Sequence, residues 1–149
     1  MFSTVIVPLD GSPHAEAAVP FAVDEARRHG ASLVLVRIVV RPEPCGAGAR
    51  SGGPAPSTVP WPEPEIDLET RDAGHYLADT IKRHQLGPDV QGSVLVGDPA
   101  TRVLAEAARF DHPVIVLTTG DSTDGATPPL SEVARRLMVA GTIPVLGVR

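Results

Sequence analysis

The sequence predicts an α/β domain built on a five-stranded parallel sheet that is doubly wound, with helices on both faces. Apolar strands alternate with amphipathic helical stretches along the chain, which is the pattern of consecutive βα units. The strands are nearly continuous aliphatic runs, as expected where both faces of a sheet are covered. A length of 149 residues with 42% hydrophobic content suits one domain, so we assign residues 1–149 to a single domain.

The first strand and the turn after it organise the rest of the chain. Residues 5–7 are β-branched, lack polar alternation and end in Pro8-Leu9-Asp10-Gly11-Ser12. Ser12 is a good N-cap, and Pro13 suits the first helical position, where a missing N–H costs nothing. Asp10 therefore lies just past the carboxyl end of a strand, where open α/β sheets bind ligands.

A first helix and a second strand follow this turn. Small apolar residues recur at helical spacing from Ala15 to Ala26, which predicts an amphipathic helix docked on the sheet. Pro20 lies inside it and removes one backbone hydrogen bond, so we expect a bend there. Gly30 is expected to end the helix as a left-handed cap, and residues 32–40 form the next apolar strand.

Residues 41–64 interrupt the pattern with alternating prolines and glycines, and they predict a flexible loop. Gly46, Gly48 and Gly52 resemble a dinucleotide fingerprint, but the spacing is one residue too long and no helix follows. Ser51, with the glycines after it, resembles a pyrophosphate loop, yet no strand precedes it. We place no phosphate site here and interpret Trp61 as an ordinary half-exposed aromatic.

The second half of the chain repeats the alternation of strand and helix. A helical stripe begins near Glu65 and is expected to end at Gly87, before Pro88, and residues 90–96 form the third strand. Asp98 follows as an N-cap, with Pro99 at the first helical position. The face that this third helix is expected to bury consists of Val103, Leu104, Ala107 and Ala108.

A fourth strand, a fourth helix and a fifth strand complete the domain. The fourth strand covers residues 114–117, and the fifth begins at Ile143 and ends at Val148. The helix between them has an apolar stripe at helical spacing, made of Leu130, Val133, Ala134, Leu137 and Met138. Five strands joined by helical crossovers predict a sheet in which the first strand is central.

Composition argues against several classes of function. A net charge of −5 with no basic cluster argues against nucleic-acid binding. The single cysteine, Cys45, cannot form an internal disulfide and fits a reducing compartment. The chain shows no charged leader and no apolar run of membrane-spanning length. These observations predict a soluble, cytoplasmic protein without membrane association.

The sequence does not predict an enzyme. Its histidines are scattered over helix ends and polar faces, so none is placed beside a nucleophile. Neither a P-loop nor metal-ligand spacing occurs. The histidines in question are His14, His29, His75, His84 and His112.

Six segments together resemble the universal stress protein family over nearly the whole chain. They are the turn at residues 5–12, the alanine-rich first helix, and the stretches at residues 30–33, 96–100, 114–116 and 143–148. The resemblance implies a Rossmann-like sandwich of the adenine-nucleotide-alpha-hydrolase type. It also implies a homodimer through the last strand, from Ile143 to Val148, and an exposed edge strand of this composition suits such pairing.

The resemblance also implies where a triphosphate would bind. ATP-binding members of the family share a glycine motif after the fourth strand, G-x2-G-x9-G-[ST], whose positions fall here on Thr118, Asp121, Ser131 and Glu132. None of the three glycines is present, and the two acids would repel a triphosphate. Gly120 and Gly125 could restore the motif only through a shifted alignment, at a spacing that the family does not use. Strong ATP binding is therefore not expected.

The sequence matches the family more closely at the adenosine half of the site than at the phosphate motif. By resemblance, Pro8, Leu9 and Asp10 would line the adenine or ribose pocket, and Ile38 would offer its backbone to the base. These residues are equally the ordinary strand ends of a shared fold. The sequence therefore leaves a retained nucleoside pocket and a purely structural role both open.

Two functional hypotheses follow from a site that matches the family only in its adenosine half. The leading one is a universal stress protein that acts in the stress response through an unidentified protein partner or a small ligand, with no firmly predicted cofactor. The alternative is a sensor of ATP or AMP, with Mg, in the cleft at the carboxyl ends of strands 1 and 4. Its phosphates would then be held by Ser12, Thr119 or Ser131.

The acidic residues near this cleft permit one further interpretation. Asp10, Asp121, Asp124 and Glu132 could converge on a divalent cation through oxygen ligands. A solvated acidic loop, with Glu132 stabilising a helix N-terminus, explains the same residues without an ion. We therefore assign no metal site.

Overall fold

A computed structural model describes residues 2–40, 63–118 and 130–148, and within these the side chains of residues 63–67, 130 and 131 are left undescribed. Strands and helices alternate along these ranges. In chain order the elements are β1 (Thr4–Leu9), α1 (Pro13–Glu16), α2 (Ala18–His29), β2 (Ser32–Val39), α3 (Glu63–Arg83), β3 (Gln91–Val96), α4 (Pro99–Ala107), β4 (Pro113–Thr118), α5 (Leu130–Ala140) and β5 (Val145–Val148).

The described strands form one parallel sheet in the order β3-β2-β1-β4-β5. This confirms the predicted fold class and the central position of the first strand. β1 is buried along its whole length, in keeping with its apolar sequence from Val5 to Leu9. From β1 the chain adds β2 and then β3 on one side of this central strand. It then crosses back to add β4 and β5 on the other side, as in doubly wound folds.

Each face of the sheet has its own hydrophobic core. One face packs Val5, Val7 and Leu35 beneath α1, α2 and α3. The opposite face packs Ile6, Val34 and other aliphatic residues beneath α4 and α5. The alternation of odd and even positions along β1 assigns its side chains to the two cores, because successive residues of a strand point to opposite faces.

The bend expected at Pro20 occurs three residues earlier, as a break between two helices. α1 ends at Glu16, and α2 begins at Ala18 after Ala17. Pro20 then lies in the first turn of α2, where its missing N–H removes no intrahelical hydrogen bond. Gly30 ends α2 with φ 61°, as expected for a left-handed cap.

The end of α3 differs from the expectation that Gly87 closes it. The helix ends at Arg83, and Gln85 takes the left-handed conformation with φ 53°. The Leu86 N–H donates to the Ile81 carbonyl over 3.0 Å, which is the bond of a Schellman cap. α3 also begins at Glu63, so residues 63 and 64 belong to the helix, and the rest of the predicted loop, with Trp61, lies outside the described residues.

One further boundary and the burial of two apolar side chains differ from the expectation. β5 begins at Val145 rather than Ile143, because Pro144 has no N–H to donate, although its carbonyl accepts from the Ile115 N–H. Ala108 is exposed at the end of α4 instead of buried. Met138 is 51% exposed on α5, whereas its neighbour Leu137 is fully buried.

Candidate functional site

The order of the strands reverses between β1 and β4, so the gap between their carboxyl ends is the topological switch point. β1 pairs with β2 as far as Leu9, which lies opposite Arg37. Its pairing with β4 ends at Ile6 opposite Ile115, and Pro8 has no N–H to extend it. The two strands are therefore unpaired just before the rim, where this kind of fold holds its ligands.

Asp10 lies at the mouth of this crevice and is held by the turn that follows it. Its Oδ1 accepts a hydrogen bond from the Ser12 N–H at 2.8 Å and another from the Ser12 hydroxyl at 2.6 Å. The Ser12 Oγ in turn accepts from the Ala15 N–H at 3.2 Å and caps α1. Oδ2 receives no hydrogen bond from the described residues. One carboxylate oxygen is thus fixed by the turn that follows Asp10.

The three apolar residues predicted at this site lie deeper than Asp10. Leu9 is 3% exposed in the core beneath α1, and Ile38 is 6% exposed in the opposite core. Pro8 is also buried. Their side chains are occupied with packing, so any contribution to a ligand would come mainly from the backbone at the strand ends.

Two of the predicted residues near β4, Thr118 and Glu132, have described side chains. Thr118 ends β4 and is 1% exposed. Glu132 lies in the first turn of α5, where its carboxylate pairs with Arg135 at 2.7 Å. The backbone of Ser131 belongs to the same turn, whereas Asp121, Thr119 and the alternative cation ligand Asp124 lie outside the described residues.

Two buried polar atoms beside the crevice lack a partner among the described residues: the Thr118 hydroxyl and Nε2 of His14. Thr118 ends the strand that borders the crevice, and His14 belongs to α1, which contacts both β1 and β4. Buried polar atoms in folded proteins are nearly always satisfied by protein, water or a ligand. Ordered water or another polar group would satisfy either atom.

Asp98 is tied to Arg136 by a bidentate contact that the sequence analysis did not find. The two guanidinium nitrogens lie 2.7 and 2.9 Å from the two carboxylate oxygens, while Oδ2 also accepts from the Thr101 N–H at 3.0 Å. The hydrogen bonds from Arg136 outweigh burial and hold the pKa of Asp98 well below its ordinary value. The contact joins the start of α4 to α5, and its partners are 38 residues apart in sequence.

Arg37 is a second residue that sequence reasoning missed. It is half-buried at the end of β2, on the face of the sheet that carries Leu33 and Leu35. Its guanidinium lies 5.8 Å from the centre of the Tyr76 ring and beside Gly11. The only available signal was a single arginine within an otherwise aliphatic strand.

A hydrogen-bonded cluster joins α1 to α3 next to this arginine. The Glu16 carboxylate accepts from the Tyr76 hydroxyl at 2.7 Å and from Arg83 at 3.0 Å, and His84 lies 3.8 Å away. Burial would raise the pKa of Glu16, but the hydrogen bonds from Tyr76 and Arg83 outweigh it and lower the pKa. Burial, with the adjacent Glu16 carboxylate, raises the pKa of Tyr76. The cluster fixes the short helix that carries the Asp10 turn.

The described residues provide no other obvious centre of chemistry. Within them, no group of three or more His, Cys, Asp or Glu side chains is arranged to hold a metal ion. None of the helices in the same ranges is long and apolar enough to cross a membrane. Cavities of about 310 and 380 Å³ open at the amino ends of the strands, the end of the sheet opposite Asp10.

Comparison with known proteins gives one consistent family. The family profile described as Universal stress protein family matches residues 1–149. The stress response protein NhaX of Bacillus subtilis is 26% identical over 162 residues, which cover 97% of this chain and 96% of the relative. The structure of the universal stress protein UspA from Lactobacillus plantarum has a TM-score of 0.69 at 19% identity, with 99% and 98% of the two chains covered.

Three structures of the same fold contain an adenine nucleotide. A universal stress protein in complex with cAMP has a TM-score of 0.65 at 19% identity, with 99% of this chain and 96% of that chain covered. The protein from Archaeoglobus fulgidus in complex with dAMP gives 0.58 at 19% identity, covering 100% and 98%. The protein from Arabidopsis thaliana with AMP bound gives 0.56 at 16% identity, covering 98% and 90%. At such identities the likeness establishes the fold.

Proposed function

The chain belongs to the universal stress protein family, and on that premise we propose that it is a non-catalytic stress-response protein that binds an adenosine monophosphate at the carboxyl rim of β1. In this proposal it does not bind ATP strongly. It acts in the cytoplasm, and occupancy of the rim alters its contacts with a protein partner. The cAMP, dAMP and AMP complexes of structurally similar proteins support the choice of ligand class.

The observation that carries the proposal is the geometry of Asp10. Its carboxylate stands beyond the end of the central strand, at the point where β1 and β4 are no longer paired. Ser12 fixes Oδ1, so Oδ2 is oriented without needing the ligand to order it. A preoriented carboxylate at this position suits a ribose hydroxyl, which is the role of acidic residues at strand ends in nucleotide-binding sheets.

The buried polar atoms beside the crevice support a polar ligand there. The Thr118 hydroxyl and His14 Nε2 have no partner among the described residues. Leaving such an atom unsatisfied costs about 1–3 kcal/mol, so a ligand or ordered water that reaches them gains stability from doing so. A bound nucleoside offers both donors and acceptors for this purpose.

The sequence at the family's phosphate motif argues against strong binding of ATP. Thr118, Asp121 and Ser131 replace the three glycines, and Glu132 adds a carboxylate at the start of α5. A side chain at a glycine position keeps phosphates away from the backbone N–H groups, and a carboxylate repels them. A monophosphate places fewer negative charges against these residues than a triphosphate does.

We further propose that the protein forms a homodimer through β5. This strand lies at the edge of the sheet and pairs with β4 on one side. Leu146 is 36% exposed on it. An apolar edge strand presents unpaired backbone groups to a second copy, and pairing with that copy protects it from other associations. Light scattering at high protein concentration distinguishes the dimer from a monomer.

The proposal is tested by calorimetric titration of AMP into the wild-type protein and two variants, Asp10→Ala and Asp10→Asn. Loss of a hydrogen bond to a charged group weakens binding by about tenfold or more, so both variants are expected to bind AMP at least tenfold more weakly. Asp24→Asn, an exposed carboxylate on α2, is the matched control and should bind as the wild type does. Undiminished AMP binding by Asp10→Ala would refute the assignment of Asp10.

A further inference from the structure

Arg37 introduces a cation into an otherwise aliphatic strand, directly beside the rim. Arg37 lies opposite Leu9 in the pairing of β1 with β2, and Leu9 is the residue immediately before Asp10. Neighbouring residues on its face of β2, Leu33 and Leu35, are buried in the core. Arg37 is half-buried as a residue, but none of its guanidinium nitrogens is a buried atom without a partner, so its free N–H groups are open to solvent and to an anion.

The described residues occupy only part of the hydrogen-bonding capacity of the Arg37 guanidinium. One guanidinium nitrogen, Nη1, donates to the Ile38 carbonyl at 3.0 Å, and the ring of Tyr76 lies 5.8 Å from the guanidinium carbon. No carboxylate among the described residues lies within 4.0 Å of it. The nearby Glu16 carboxylate is instead occupied by Tyr76 and Arg83. Several N–H groups of Arg37 therefore remain without a partner in the described part of the chain.

Glycine at position 11 keeps the guanidinium accessible from the Asp10 turn. A Cβ at Gly11 would lie 3.6 Å from Nη2 and 3.9 Å from the central carbon of Arg37. A side chain at position 11 would lie in van der Waals contact with the guanidinium, and the φ of 89° at Gly11 already disfavours one. The turn that positions Asp10 thus leaves an open side of the Arg37 fork next to it.

We propose that Arg37 binds the phosphate group of the ligand held at the β1 rim. This inference rests on the proposed function, and it names the residue that takes over from the missing glycine motif. A planar guanidinium with free donors matches a phosphate bidentately. In the sequence, Thr118, Asp121 and Ser131 stand at the glycine positions of the family's phosphate motif, so the phosphate is not expected to be held there.

The test compares adenosine with AMP by calorimetry in the wild-type protein and in Arg37→Gln. The wild type is expected to bind AMP about tenfold or more tightly than adenosine, since the phosphate adds a charge-assisted contact. Arg37→Gln should lose that preference while its adenosine affinity stays unchanged. Arg28→Gln, which removes an exposed arginine of α2, is the matched control and should keep the preference.

An unchanged AMP-to-adenosine ratio in Arg37→Gln would overturn the inference and leave the proposed function standing. If Arg37→Gln does not fold, Arg37→Lys carries the same comparison, because lysine keeps the charge but lacks the planar fork. If Arg37→Lys prefers AMP over adenosine several-fold less than the wild type does, the inference is supported. If Arg37→Lys keeps the wild-type preference, the inference is overturned.

Failure of the proposed function gives a different result, in which the wild type binds neither adenosine nor AMP. Titration with inorganic phosphate, followed by ³¹P NMR, then decides the role of Arg37 separately. Phosphate binding by the wild type that disappears in Arg37→Gln supports an independent phosphate site at Arg37. Absence of phosphate binding by the wild type overturns the inference together with the proposed function.

Discussion

Removal of the Asp98 side chain tests the contact that joins the two helices on the β4 side of the cleft. Asp98 caps α4 through the Thr101 N–H at 3.0 Å and forms a bidentate pair with Arg136. Loss of an N-cap costs about 1 kcal/mol. The pair involves side chains that are 29% and 42% exposed, so solvent screening limits it to at most about 1 kcal/mol. Asp98→Ala should therefore lower the free energy of unfolding by about 2 kcal/mol.

Urea denaturation of Asp98→Ala, Asp98→Asn, Arg136→Gln and the double variant Asp98→Ala/Arg136→Gln separates the two contributions. Asp98→Asn retains a capping oxygen, so it should lose only the ion pair, about 1 kcal/mol or less. The single variants Asp98→Ala and Arg136→Gln should be coupled, because they remove the same pair. Equal effects of Asp98→Ala and Asp98→Asn, or additive effects in the cycle, would refute this account of the contact.

Two further predictions concern the turns and the acid stability. Gly97 has φ 139°, and a Cβ there would lie 2.8 Å from Nε of Arg102, so Gly97→Ala should destabilise the protein by about 1–2 kcal/mol. Gly74→Ala, in α3 with open space around it, is the control and should be neutral or stabilising by thermal melting. Glu16→Gln should lower the melting temperature at pH 7. Because the folded pKa of Glu16 is lowered, its contribution is complete above the ordinary pKa of 4.5 and declines as the pH falls further. The difference between wild type and variant should shrink below that pH, and a constant difference would contradict the ion-pair cluster.

The fold was predictable because local signals and burial agree in most elements. The β-branched run from Val5 to Val7 indicated a central parallel strand, and the turns at Ser12 and Asp98 carried recognisable caps. The errors occurred where tertiary contacts or backbone chemistry decide. Gln85 rather than Gly87 closes α3, and Pro144 delays the start of β5. Propensity favours glycine at a left-handed cap, but packing of the following Leu86 can override it.

The candidate site was predictable only where it follows from strand ends. Asp10 could be placed at the rim, since its position depends on one strand and one turn. The contact between Asp98 and Arg136 could not be found, because it joins residues far apart in the sequence. Arg37 was missed for a related reason: its environment is set by Gly11 and Tyr76, which belong to other elements. Periodicity identifies the face on which a side chain lies, but not its partners.

Titration of AMP and of ATP with Mg into the wild-type protein tests the central claim most directly. The account predicts saturable AMP binding, with ATP bound no more tightly than AMP and Mg without effect, since the glycines that would hold a triphosphate are replaced by side chains. A bound nucleotide should also raise the melting temperature. Magnesium-dependent ATP binding that is tighter than AMP binding would contradict the account.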